Sequence, residues 1–245
     1  MPICFLSAPL RTSKQTEFTR YMSASLVLFA LATPAFAQSL RFGVKGGVPM
    51  TQYFEAGPTG GRNFRGEYSS ATRRYTVGPS IEWRIKYGFG FELDALYKRM
   101  GYVSTVTYGP APTGVIRREV IDVKGNSWEF PLMMKYRLGQ PIAVYGAAGF
   151  VLRHIGPVRG RGVSTVVATP ISMTPVSTPI ETTGPSDLRK RTWPGLTVAY
   201  GLEFGIGRLR LLPEVRYTRW TSNISERGPL RFEPNQAEFL LGFLF

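Results

Sequence analysis

Side chains able to do acid–base or nucleophilic chemistry are few in this sequence and thinly spread. It has one histidine, His154, and one cysteine, Cys4. A nucleophilic triad needs a hydroxyl activated by an imidazole, and an acid that orients the ring. Next to His154 stand only Ile155, Gly156 and Pro157, with Ser164 and Thr165 further along, and partners from elsewhere in the chain stay open. A zinc site needs three or four His, Cys or carboxylate ligands at fixed spacing, and no such set is written here. Gly205-Ile206-Gly207 reads as a turn, because no helix follows it to cradle a phosphate. The expectation is no catalytic residue, no cofactor and no metal, and so no enzyme.

What the chain does carry is charge of both signs at every second position. The set is Glu82, Arg84, Glu92, Asp94, Lys98, Glu129, Lys135, Arg137, Glu203, Arg210, Glu214, Arg216 and Glu238. Buried charges must be paired or they cost several kcal/mol each, and this set offers partners of both signs. If it faces an interior, it should form one ion-pair network.

The elements that position these residues follow from the same alternation. Over 73–85, Tyr75, Val77, Pro79, Ile81, Trp83 and Ile85 share one face, and Arg74, Thr76, Gly78, Ser80, Glu82 and Arg84 the other. Period two recurs over 89–102, 127–137, 142–152, 196–206 and 209–220, and 40–48 and 236–245 complete a set of eight strands. Connections at 86–88, 139–141 and 205–208 are tight, whereas those around 49–72, 103–124, 153–194 and 221–235 are long, the longest, 153–194, reading as a flexible or hairpin-extended loop rather than a second domain. Short and long alternate, which places all long loops at one end, as in barrels with tight periplasmic turns. The predicted fold is all-β, an eight-stranded antiparallel up-and-down transmembrane β-barrel.

Alternation alone does not say which face is outside. The apolar faces hold more bulky aromatics than an eight-stranded lumen accommodates, while Gly78, Ser80, Gly90, Gly149, Gly201 and Gly242 lie on the charged face. The expected arrangement is therefore inverted, with aromatics toward lipid and charges toward each other. Such an interior is filled by side chains, so a general pore is not expected. The alternative is a soluble periplasmic, lipocalin-like barrel holding a small apolar ligand, in which Trp83, Phe91, Phe130 and Phe239 would meet in a common centre. Arg99 and Arg219 fall on apolar faces near the upper strand ends, where they should snorkel to head groups.

The first residues read differently. Arg11, Lys14 and Arg20 precede an apolar run over 24–32 and the small residues Ala35 and Ala37, the pattern of a signal peptide cleaved after Ala37. The expected organisation is 1–37 signal peptide and 38–245 barrel domain, which removes Cys4. Taking the leader's three basic and one acidic residues from totals of 30 and 16 leaves 27 against 15, a net charge of +12. Anionic partners are expected; secretion argues against nucleic acid and for the phosphates of lipopolysaccharide. Basic residues recur at the long-loop end, Arg153 and Arg159 among them, with a net +4 in the third loop. Arg62, Arg65, Arg117, Arg118, Arg189, Lys190 and Arg191 are the expected lipopolysaccharide contacts.

The chain closes on Phe239, Leu241, Phe243 and Phe245 at alternate positions, an ending similar to the signal read by the bacterial barrel-assembly machinery. Together with Gly43-Val44-Lys45-Gly46-Gly47, the segments 91–97 and 128–132, and Pro213-Glu214-Val215-Arg216-Tyr217, it resembles the bacterial outer membrane protein β-barrel domain family of small OmpA/OmpX-like barrels. That resemblance implies a fold, a place in the outer membrane of a Gram-negative bacterium and a lipid environment, with a structural or interaction role. Some barrels of this size modify lipid A, which leaves His154 as the residue to examine.

Overall fold

A strand with greasy side chains on one side and ionised ones on the other must hide each side in a different medium, and a sheet closed on itself offers both an outside and an inside. The computed structural model describes residues 40–55, 57–61, 63–109, 115–168, 174–183, 191–221 and 232–245. The expected leader, with Cys4, lies outside the described residues, as do Arg62, Arg189 and Lys190. The strands are β1 (Leu40–Pro49), β2 (Gly57–Gly61), β3 (Phe64–Ser70), β4 (Thr76–Arg84), β5 (Phe89–Asp94), β6 (Leu96–Tyr108), β7 (Ile116–Leu138), β8 (Ile142–Ala168), β9 (Val176–Thr183), β10 (Thr192–Ile206), β11 (Leu209–Trp220) and β12 (Asn235–Leu244).

The antiparallel pairings return on themselves. β1 pairs with β12, then β11, β10, β8, β7, β5 and β4 follow in order, and β4 neighbours β1. The expected third strand is split into β5 and β6 at Ala95, and both halves pair with β7. Counted as one stave, they make the barrel eight-stranded. The tight connections lie at one end and use left-handed backbone, with φ of 83° at Gly88, 97° at Gly139 and 61° at Gly207, values that a Cβ disfavours.

The faces are sorted as the inverted reading requires. Trp83, Phe91, Phe130 and Phe239 are 42%, 40%, 39% and 41% exposed and look outward, so the soluble ligand-carrier arrangement is not the one adopted. Gly201, on the inner face, leaves room for Tyr145, whose ring would stand 2.6 Å from a Cβ there.

Three features differ from the sequence expectation. First, the segments 49–72 and 103–124 are largely strand rather than loop, while 153–194 takes the hairpin-extended form through β8 and β9. β7 has 23 residues and β8 has 27, more than twice the roughly 9–11 needed to cross a bilayer. Their outer parts join β2, β3, β6 and β9 in a sheet ordered β2-β3-β6-β7-β8-β9 that stands beyond the barrel. Period two fades there because neither face meets lipid; Val103-Ser104-Thr105-Val106-Thr107 is β-branched or small on both sides.

Second, β8 carries a bulge. Gly125 pairs with Val158 but Ser127 with Ile155, so β8 gains one residue at Gly156-Pro157. The inward positions shift from Arg153 and Ile155 to Val158 and Gly160, and Arg159 and Arg161 turn outward. A proline suits a bulge because its missing N–H breaks no ladder bond there.

Third, Arg153, expected on the third loop, is only 1% exposed inside the barrel. Above it the long-loop end is closed by an aromatic plug. Tyr53 and Phe54 from the segment after β1, and Phe232 before β12, pack on Tyr102, Trp193 and Trp220. Phe54 and Phe232 stack at 5.0 Å, and Tyr53 meets Phe232 edge-on at 5.3 Å.

Candidate functional site: a charged lumen and a basic outer wall

The thirteen alternating charges all point into the lumen, and the structure adds Arg41, Lys45 and Arg153 to them. Lys45 was present in the Gly43–Gly47 segment and shares the inward parity of its strand. Arg153 lies one residue beyond the stretch in which the alternation is legible, 142–152. The residues fall into three tiers along the barrel.

The middle tier holds Lys45, Lys135 and Arg216 against Glu92, Asp94 and Glu214. Lys45 reaches Glu214 at 3.0 Å and Asp94 at 3.5 Å, and both Lys45 and Lys135 donate to Glu92. Arg216 bonds Asp94 at 2.7 Å and Glu214 at 2.6 Å. Ser80 donates to Asp94 at 2.6 Å and Tyr145 to Glu214 at 2.9 Å. Three positive charges thus meet three negative ones in a region where each of the six is no more than 3% exposed at its side chain or as a whole residue. This balance of charge is what makes such burial tolerable, with Arg216 Nη1 left without a hydrogen-bond partner.

The upper tier is also balanced. Lys98 donates to Glu129 at 2.7 Å and to Glu238, and Arg153 donates to Glu129 at 2.6 Å and to Gln236. The Arg153 guanidinium lies 3.7 Å from the Trp220 ring centroid and 4.4 Å from that of Tyr53. A desolvated cation over aromatic faces gains about 2 kcal/mol, so Arg153 ties the polar lumen to the plug. Burial pushes the Tyr53 hydroxyl up to about 12; it remains a neutral donor to Ser127 at 2.8 Å.

The lower tier, at the tight-turn mouth, holds Arg41, Arg84, Arg137 and Arg210 against Glu82 and Glu203. Arg137 Nε bonds Glu203 at 2.8 Å and Arg84 Nε bonds Glu82 at 2.8 Å, with further contacts from Arg84 to Glu203 and Arg137 to Glu82. Glu82 also accepts from Lys135 at 3.1 Å, which links this tier to the middle one.

On the outer wall, Arg99, Lys124 and Arg159 stand on neighbouring strands β6, β7 and β8, with Lys124 directly opposite Arg159. Just below them Tyr97 and Trp128 meet at 5.3 Å, edge to face, and Trp128 stacks on Phe130 at 6.4 Å. Arg219 is exposed on its outward face and Arg99 is half-buried. Of the expected lipopolysaccharide contacts, Arg65, Arg117, Arg118 and Arg191 are described and exposed. Arg117 is engaged by Glu119 at 2.5 Å and Ser164 at 2.7 Å. Phe239, Leu241 and Phe243 face outward on β12, and the exposed Phe245 donates its N–H to Phe42 at 2.8 Å.

His154 is exposed on the outer face, with Nδ1 3.1 Å from the Thr192 hydroxyl. Ser164 is ten positions further along the same strand, roughly 30 Å away at strand rise, so the structure does not bring the two together. Among the described residues no three His, Cys, Asp or Glu side chains are placed to hold a metal ion.

A family model described as outer membrane protein beta-barrel domain matches residues 36–226. Solved structures similar to this chain include neisserial surface protein A (NspA), 14% identical over 84% of this chain and 95% of that one, with a TM-score of 0.41. OprG from Pseudomonas aeruginosa is 12% identical over 84% and 94%, TM-score 0.41. Ail, the attachment invasion locus protein of Yersinia pestis, is 10% identical over 84% and 99%, TM-score 0.35. No curated protein matches the chain.

Proposed function

The chain belongs to the outer membrane protein β-barrel domain family, and from that membership we propose that it is a closed, non-enzymatic barrel whose outer wall binds lipopolysaccharide phosphates. It resides in the outer membrane of a Gram-negative bacterium. The observation that carries the reading is the basic strip Arg99, Lys124 and Arg159, set just above Tyr97 and Trp128. Amphipathic rings mark the level of the lipid head groups. Arg99 is two residues up its strand from Tyr97, about 6.6 Å, and Lys124, with Arg159 opposite it, is four up from Trp128, about 13 Å, so these cations span the level of the outer-leaflet phosphates. Guanidinium forks match phosphate oxygens two at a time. Arg99 and Arg159 make no ion pair with a described residue and are free to do so.

Height separates these residues from the expected loop set. Arg191 lies level with the belt, since its carbonyl accepts from Ile155 at 2.8 Å. Arg117 and Arg118 stand ten or more positions above Trp128 along β7, roughly 30 Å along the strand, beyond the lipid phosphates. Replacing Arg99, Lys124 and Arg159 together by alanine should weaken binding of lipopolysaccharide to the detergent-solubilised protein about tenfold or more, whereas Arg117→Ala with Arg118→Ala should change it little. Equal binding by the triple variant and the parent would refute the reading.

A barrel closed by the three tiers and the plug should also carry no steady current. In planar bilayers the protein is expected to give a flat trace, and stable open steps would contradict a filled interior.

A further inference from the structure

The three tiers are not equally neutral. The upper and middle tiers balance, two charges against two and three against three, but the mouth has four arginines for two glutamates. Its excess of two positive charges sits at the end facing away from lipopolysaccharide.

The excess is local to two residues. Arg84 and Arg137 are ion-paired with both Glu82 and Glu203, although Arg137 Nη2 has no well-formed hydrogen bond. Arg41 Nη1 and Arg210 Nε look at the same Glu203 oxygen from 4.0 Å and 3.8 Å, too far to bond it. Both nitrogens are shielded from solvent and without a hydrogen-bond acceptor. A sheltered, unsatisfied guanidinium N–H is costly, and two of them converging on one spent carboxylate describe a seat for a further anion. Beside it opens a vestibule of about 860 Å³ lined by Arg84, Arg137, Arg210, Glu203 and the turns at Tyr87 and Gly139.

We propose that the periplasmic mouth binds a phosphate-class dianion, held by Arg41 and Arg210. A phosphate monoester carries about −1.5 to −2 at neutral pH, opposite in sign to the two unpaired guanidinium groups, and its oxygens match the fork geometry. The same group is offered by free phosphate in the periplasm and by a phosphomonoester lipid of the inner leaflet.

The test uses the full barrel in an uncharged detergent, with lipopolysaccharide absent, titrated with inorganic phosphate by calorimetry. In parallel, nanodiscs with and without phosphatidic acid are compared for phosphorus line broadening that depends on the protein. Saturable binding in the phosphate arm marks a soluble ligand, and protein-dependent broadening in the lipid arm alone marks a head group; either supports the site. The variant Arg41→Gln with Arg210→Gln leaves Glu82 and Glu203 their bonded partners and should keep the gel mobility shift of the folded barrel. It should lose about tenfold or more in affinity, while Arg117→Ala with Arg118→Ala, at the other end, should not. Absence of binding in both arms, or equal binding by the folded double variant, would overturn the proposal.

Discussion

Replacing Glu92 by glutamine should lower the unfolding free energy of the barrel by about 3–5 kcal/mol, the cost of leaving buried charge without its partner. Glu92 accepts from Lys45 and Lys135 and lies 3.4 Å from Arg216, so its neutral form leaves three cations facing two carboxylates where water does not reach. The loss would be read as a lower urea midpoint at unchanged slope for the protein refolded into lipid. Adding Lys135→Gln to Glu92→Gln restores two against two in the middle tier and should recover part of the loss, although Glu82 then gives up one donor. A double variant no more stable than Glu92→Gln alone would show that pairing is not what makes this interior tolerable.

The second large effect belongs to the opposite face of the same strand. Leu132 lies midway between Trp128 and Tyr136 and is 53% exposed, on the outward side of β7. Leu132→Arg should cost about 2–4 kcal/mol, the penalty of a cation at the bilayer midplane. Leu132→Ala should cost far less than the roughly 2–5 kcal/mol of the same change in a packed protein core, because lipid refills the space. Unfolding in vesicles of both variants distinguishes the two media. A near-neutral arginine together with a costly alanine would mean that this face packs against protein instead of lipid.

Much of this architecture was legible because a barrel strand needs only local information to write its two faces. Tyr75 to Ile85 and Leu196 to Ile206 alternate cleanly since each outward residue meets the same lipid and each inward one the same narrow lumen. The inward placement of Glu82, Lys135 and Glu214 follows from that parity. Beyond the membrane, around Val103–Thr107, no lipid enforces the rule, and a strand there is indistinguishable from loop in the sequence.

The sequence by itself determined the number of staves, the inversion of the faces, the chemical character of the interior and the absence of any local triad or metal pattern. The tertiary structure alone decided which charges meet. Closing the sheet staggers the strands, and the stagger brings Lys45 of the first strand to Glu92 and Glu214, 47 and 169 positions away. It also decided that one extra residue at Gly156-Pro157 sends Arg159 to the outside, that Arg153 stays within under the aromatic plug, and that Arg41 and Arg210 share a single carboxylate at the mouth. Parity is a property of neighbours along a chain, whereas pairing depends on register between strands far apart in sequence, and only the closed ring sets that register.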